Sequence, residues 1–319
     1  MTQTTFLDRE TLDRGDLDLD ELSAVCGHLR SFGRTSPEAV IDRIGDASVV
    51  ITNKCVIGAE TLDACPQLSL INVVATGVNN IDIDAARERG VTVVNCRGYG
   101  TEAVSQHAIT LMLVLCTRLI DYHRAVQGGR WAQSPDFCLL DYPIRELAGQ
   151  TLVVVGYGEL GGAVVEKAQA LGMEVLIAER PGVETPRAGR VTFDEGVERA
   201  DILTLHCPLT DATQEMIGPA VLRRMKPTAL LINTARGGLI DEPALAQALR
   251  TGEIGGAGLD GLSAEPPVDG NALLAPGIPN LIVTPHSAWG SRPARQRIIE
   301  QTVENIRAWQ GGEPIRCVT

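Results

Sequence analysis

Short apolar runs alternate with amphipathic stretches along almost the whole chain. "TTFLD" (4–8), "ASVVIT" (47–52), "LSLINVVAT" (68–76) and "VTVVNC" (91–96) read as strands, with helical pieces such as "PEAVIDRIG" and "IDIDAARERG" between them. A second series runs through "TLVVVG", "MEVLIAE", "DILTLHC", "ALLINTA", "GGAGLDGL" and "NLIVTPH". Strands alternating with helices over short connections predict parallel sheets covered on both faces. Between the series, "TEAVSQHAITLMLVLCTRLIDYHRAV" predicts one long helix, with Thr101 as its N-cap. "QGGRWAQSPDFCLLDYPIREL" (127–147) breaks the rhythm and carries Trp131, Phe137 and Tyr142, which reads as an arm covering a partner subunit. "SRPARQRIIEQTVENIRAWQGG" predicts a final helix that returns to the first series. A break near residue 100 thus divides two α/β units, 1–99 with 290–319 and 100–289.

Composition narrows the class. The 319 residues are 44% hydrophobic but only 3% aromatic, so Val, Leu, Ile and Ala must fill the core. A net charge of −12 offers no cationic face to nucleic acid or an anionic membrane, and neither is expected as a partner. Eight cysteines include no CxxC pair, which predicts reduced thiols in a cytoplasmic protein and no metal site. The acidic start lacks the basic, apolar pattern of a signal peptide. The strongest apolar run, "AITLMLVLC" (108–116), is about half a membrane span.

The second series opens on "TLVVVGYGELGG", where Gly156, Gly158 and Gly161 have G-x-G-x-x-G spacing between a strand and a helix. Glycines there permit a tight turn and let a pyrophosphate approach the free N–H groups of a helix start. Eighteen residues beyond Gly161, the next strand ends in Glu179, placed to accept hydrogen bonds from ribose hydroxyls. A carboxylate repels a 2′-phosphate and so favours NAD over NADP; Arg180 beside it is the opposing feature.

Three polar residues follow separate apolar runs, where ligands of open α/β sheets bind. Arg236 follows "ALLINTA", Glu265 opens "EPP", and His286 follows "NLIVTP". Arginine holds a carboxylate through two parallel hydrogen bonds, and the glycines after Arg236 leave space for one. Histidine passes a proton near neutral pH, and glutamate can orient it and favour its charged form. With a nicotinamide to carry hydride, the set interconverts a small 2-keto acid and a 2-hydroxy acid.

"GYGELGG", "HCPLT", "LLINTARGGLIDE", "GLDGLSAEPP" and "LIVTPHSAW", in this order, resemble the D-isomer-specific 2-hydroxyacid dehydrogenase family across essentially the whole chain. "ATGVNNIDIDAARERGVTVVNCRGYGTEAVSQH" is most similar to its glycerate dehydrogenase, or hydroxypyruvate reductase, branch. The resemblance implies a Rossmann-type NAD-binding domain, a flavodoxin-like substrate (lid) domain, an active site in the cleft between them, and a homodimer. It implies substrate contacts at Thr76, Gly77 and Arg236, and catalysis by Arg236, Glu265 and His286. It carries cofactor contacts onto Glu159, Leu160, Glu179, Cys207, Pro208, Thr213, Thr234, Ala235 and Asp260, with Asp260 facing the nicotinamide carboxamide. Gly261 stands where the family commonly has Val, and Ala272 where it has Pro; these departures are expected to affect loop rigidity or substrate fit, not chemistry. Glyoxylate, phosphoglycerate or phosphite chemistry, or an NADH-sensing corepressor-like role, are the rival readings.

Overall fold

The computed structural model describes residues 2–319. They form two compact units, one taking the chain through Gly100 and resuming at Gly290–Thr319, the other spanning Thr101–Trp289.

In the first unit, β1 (Gln3–Phe6), β2 (His28–Ser31), β3 (Val49–Thr52), β4 (Leu70–Val73) and β5 (Thr92–Val94) make one parallel sheet. Its order is β2-β1-β3-β4-β5, the flavodoxin-like arrangement. Every residue of β3 and β4 is buried, which is why both read as unbroken apolar runs. β2, "HLRS", was not predicted: it lies at the sheet edge, mostly solvated, and carries no apolar pattern. The final helix Arg292–Gln310 starts on Ser291, whose hydroxyl accepts from Ala294 N at 3.3 Å, and buries Ile298, Ile299, Val303 and Ile306. Where the strand order switches between β1 and β3, Asp8 accepts from Asn53 N at 2.9 Å and Lys54 N at 2.7 Å. That crevice is filled by the chain's own acid.

In the second unit, β6 (Thr151–Val155), β7 (Glu174–Ala178), β8 (Ile202–Leu205), β9 (Leu230–Asn233), β10 (Gly256–Asp260) and β11 (Leu281–Thr284) form a parallel sheet. Its order is β11-β10-β9-β8-β6-β7, so the direction of winding reverses at β6. The two faces carry separate apolar clusters, one around Leu203, Leu231 and Leu259, the other around Leu152, Val154 and Ile232.

The long helix predicted from residue 101 is two helices, Thr101–Thr117 and Leu119–Gln127, bent by 58°. Arg118 breaks it with a φ of 53°, a left-handed conformation that ends an α-helix. Its Nε donates to Asp121 at 2.6 Å, which holds the break in place. The first helix packs on β9 and β10, and a Cβ at Gly258 would meet Leu111 at 3.0 Å and Leu115 at 3.1 Å. Glycine there sets how closely the helix approaches. Among the described residues no single helix is long and apolar enough to cross a membrane.

Candidate active site

The predicted fingerprint sits at the point where the second sheet reverses. Gly156 has a φ of 97°, and a Cβ on it would come within 2.5 Å of Cys207 N. The turns after β6 and β8 therefore touch backbone to backbone. A Cβ on Gly161 would overlap the Gly156 carbonyl oxygen, so this position needs glycine for helix–strand packing. Gly158 is different: it precedes the helix Glu159–Ala170, and a Cβ there would meet nothing within 4 Å. Open space thus lies before a helix start whose first N–H groups lack intrahelical partners.

A cleft of about 660 Å³ extends from there past Glu179, Arg180, Arg187, Arg190 and His206. His206 Nδ1 in the cleft wall and Thr234 Oγ1 after β9 are buried without a hydrogen-bond partner. Burial pushes the His206 imidazole down to about 4, so it is neutral at pH 7. Open space at Gly158, a helix N-terminus and orphaned polar atoms fit a bound dinucleotide. Glu159, in the first helical turn, directs Oε1 to the Thr101 hydroxyl at 2.5 Å, while Leu160 follows it half-buried.

Glu179 is not the free acceptor that the sequence suggested. It is 3% exposed, and Arg187 donates to both its oxygens, from Nε and Nη2, at 2.7 Å each. Arg190 stands 3.7 Å away. Hydrogen bonds from Arg187 hold the carboxyl down at about 2. The segment supplying both arginines has no periodic pattern, so nothing in the sequence marked it as part of the site.

Cys207 and Pro208 line the same cleft, and burial pushes the Cys207 thiol up. Thr213 spends its hydroxyl within its own loop, donating to Pro208 O at 2.8 Å and accepting from Thr210 N at 2.8 Å. The "HCPLT" motif contained His206 all along, but only its two following residues were singled out.

Beyond β9 the chain turns sharply. Asn233 accepts from Ala235 N at 3.0 Å and donates to Arg236 O at 2.8 Å, clamping the turn from inside. The Arg236 guanidinium makes one hydrogen bond, from Nη1 to Ala235 O, and pairs with no carboxylate among the described residues. An exposed guanidinium with unused donors is suited to an anionic ligand.

His286 Nδ1 lies 2.7 Å from Glu265 Oε2, and Glu265 Oε1 accepts from Leu262 N at 2.9 Å. His286 has a φ of 50°, a strained backbone for a residue with a Cβ. Asp260 explains how it persists. Its carboxylate accepts from Ser287 N and Ala288 N, both at 2.9 Å, and from Thr284 Oγ1 at 2.6 Å. The predicted nicotinamide contact thus grips the loop that carries the histidine. His107 joins this group through Thr284 Oγ1, 3.0 Å from its Nε2. Gly261, expected to affect loop rigidity or substrate fit but not chemistry, lies against the pair: its φ is 109°, and a Cβ there would collide with Glu265 Oε1 and lie 3.6 Å from His286 Nδ1.

Thr76 and Gly77 belong to the first unit, just past β4. The Thr76 hydroxyl donates to Cys96 O at 3.0 Å and its carbonyl accepts from Asn95 Nδ2 at 2.8 Å. The N–H groups of Thr76 and Gly77 donate to no acceptor among the described residues. No cluster of metal-ligating side chains occurs among the described residues.

Residues 109–288 match the family described as "D-isomer specific 2-hydroxyacid dehydrogenase, NAD binding domain". A glycerate dehydrogenase of Methylorubrum extorquens is 43% identical over 316 residues, 99% of this chain and 98% of that one. A hydroxypyruvate reductase of Blautia hydrogenotrophica is 38% identical, with 98% of each chain covered. A crystal structure of a Thermus thermophilus protein superposes with a TM-score of 0.86 at 32% identity, covering both chains completely.

Proposed function

The chain belongs to the D-isomer specific 2-hydroxyacid dehydrogenases, and within that family we propose that it reduces hydroxypyruvate to D-glycerate with NADH. The observation that carries this reading is the His286–Glu265 pair, together with an unpaired Arg236 guanidinium whose turn packs on the Leu262–Ser263 peptide of the loop carrying Glu265. Glycerate dehydrogenase and hydroxypyruvate reductase relatives aligned over nearly the whole chain support the substrate.

When bound, NADH supplies a hydride to the carbonyl carbon. Arg236 pairs with the substrate carboxylate and polarises the carbonyl oxygen. The Thr76 and Gly77 N–H groups are proposed as further donors to that carboxylate. Glu265 engages Nδ1 of His286 and so leaves Nε2 as the proton donor. That proton goes to the carbonyl oxygen as the carbon is reduced, and the hydroxy acid results. In the reverse direction neutral Nε2 accepts it. Gly156, Gly158, Glu179, Cys207, Pro208 and Thr213, which line the cleft, are proposed to hold the cofactor with Gly161, Glu159, Leu160, Thr234 and Ala235, and Asp260 to act from beneath the His286 loop.

A homodimer is part of the proposal. The segment 127–147 exposes Trp131 by 51%, Phe137 by 89%, Leu140 by 79% and Ile144 by 55%. Apolar exposure on this scale in one segment fits a surface covered by a second copy. All eight cysteines are unpaired, which supports a reducing, cytoplasmic setting.

The test is NADH oxidation against a panel of 2-keto acids. Hydroxypyruvate should give the highest kcat/KM, with glyoxylate turned over less well. Preference for a phosphorylated acid or for phosphite would replace the proposed substrate. Absence of turnover with every acid would favour a binding role.

A further inference from the structure

Glu242 opens the helix Glu242–Thr251, three residues past the Gly237–Leu239 turn that follows Arg236. An acid in the first turn of a helix is ordinarily solvated and interacts with the helix dipole. This one is 6% exposed, and no cation pairs with it among the described residues. Such a charge is expensive to bury, and its position calls for a reason beyond the helix.

Its hydrogen bonds supply that reason. Oε1 accepts from Ser263 N at 2.7 Å, and Oε2 accepts from Ser263 Oγ at 2.5 Å and Asn271 Nδ2 at 2.7 Å. Ser263 and Asn271 flank the loop that carries Glu265. At one end the grip continues directly. The next peptide N–H back, that of Leu262, donates to Glu265 Oε1 at 2.9 Å, and Glu265 Oε2 meets His286. At the other end Asn271 accepts from Leu273 N at 2.9 Å, and Leu273 is buried in the core. Backbone packing acts on the same peptide: a Cβ on Gly237 would overlap Leu262 C and Ser263 N. The turn that presents Arg236 and the loop that presents Glu265 are therefore seated on one another, with Glu242 as the polar fastening.

We propose that Glu242 is a positioning residue of the reaction: it fixes the 261–271 loop, and through it the placement of Glu265 against His286. This rests on the reading of Glu265 and His286 given above. Charge suits the role, because three donors converge on two carboxylate oxygens, and a neutral amide has only one oxygen and would set an N–H against a donor.

The test uses the full-length protein and three readouts. Glu242→Gln should lower kcat at least about tenfold while leaving KM for NADH within about twofold. It should speed hydrogen exchange across 261–271, and it should move the alkaline limb of keto acid reduction in the same direction as Glu265→Gln does. In the Glu265→Gln background the second substitution should add no further displacement of that limb, since both act through one carboxylate. If Glu242→Gln lowers only the melting temperature, with kcat, exchange and limb unchanged, or if the two displacements add in full, the proposal is overturned. Should Glu242→Gln fail to fold, Ser263→Ala and Asn271→Ala each remove one donor and must show the same exchange and kcat signature in weaker form; parent-like behaviour of both overturns it. Glu265→Gln alone tests the underlying reading. If that variant leaves the limbs in place, the electrostatic role of Glu265 falls, and loop fixing by Glu242 is then decided by exchange and kcat.

Discussion

Glu265 Oε2 and His286 Nδ1 stand 2.7 Å apart, each side chain 37% exposed, on loops whose backbones are pinned by other residues. The carboxylate meets Nδ1 and leaves Nε2 to donate, and reduction needs a proton on the ring when hydride arrives. Glu265→Gln retains size and hydrogen bonding but removes the charge. Reduction by the variant should therefore fall off at a lower pH than in the parent. Oxidation of the hydroxy acid, which needs the neutral ring, should begin at a lower pH. Profiles of kcat/KM against pH in both directions check this. Uniform loss of activity with both limbs unmoved would leave Glu265 a purely geometric role.

Gly261 gives a second route to the same pair. A side chain there is strained by the φ of 109°, and its Cβ would displace Glu265 Oε1 from Leu262 N. Gly261→Ala should cost about 1–2 kcal/mol of stability through the backbone alone. It should also shift the pH limbs as Glu265→Gln does. Gly252→Ala separates the two effects. Gly252 has a φ of 73° with nothing within 4 Å of an added Cβ. That variant should lose comparable stability and keep the parent pH profile. Matching profiles for Gly261→Ala and the parent would restore the expectation that this glycine carries no chemistry.

That expectation came from reading residue 261 as a loop position, and it shows where sequence legibility ended. Strands such as β3, β4 and β9 were legible because burial on both faces leaves unbroken apolar runs. β2 was not, because an edge strand with solvated residues needs no such run. The break at Arg118 was hidden for another reason: apolar periodicity continues through it, and the left-handed residue is fixed by Asp121 and Tyr142. At the site, each strand-end residue was visible by its position, and His286 and Glu265 do meet. What each partner already held was not visible. Asp260 proved to grip the His286 loop through contacts distant in sequence, and Glu179 to be bound by Arg187 from a nearby irregular segment whose path no periodic pattern marks.

The Glu179–Arg187 pair changes the argument about cofactor choice. Arg180, Arg187 and Arg190 line the cleft with a single carboxylate among them. Cofactor choice then depends on the balance between Glu179 and Arg187. Arg187→Ala leaves the carboxylate less neutralised, so the preference for NADH over NADPH should increase, mainly through a higher KM for NADPH. Glu179→Ser leaves the arginines unopposed and should reduce or invert the preference. Competing titrations of kcat/KM with both cofactors measure each. A parallel change in both variants would mean that neither charge faces the 2′ position.

His206 makes a signed statement about stability and pH. Its imidazole is held at about 4, from an ordinary value of 6.5, because Nδ1 is buried without a partner. Between those values the unfolded chain takes up a proton that the folded one refuses, so folding weakens as pH falls. The contribution is fully present above about 6.5, declines through the interval and is lost by about 4. With about 1.4 kcal/mol per unit, the whole interval is worth on the order of 3 kcal/mol. Glu179 works in the same direction but later. Its carboxyl is held at about 2 from 4.5, so its contribution is lost only below the ordinary carboxylate range. Measurements between pH 7 and 5 therefore isolate the histidine. His206→Gln does not titrate, and its unfolding free energy should be flatter across that window than the parent's. Both proteins should be compared by denaturant unfolding at fixed ionic strength without cofactor. Equal slopes would mean that the ring takes up its proton in the folded state, through an opening of the cleft wall that reaches Nδ1.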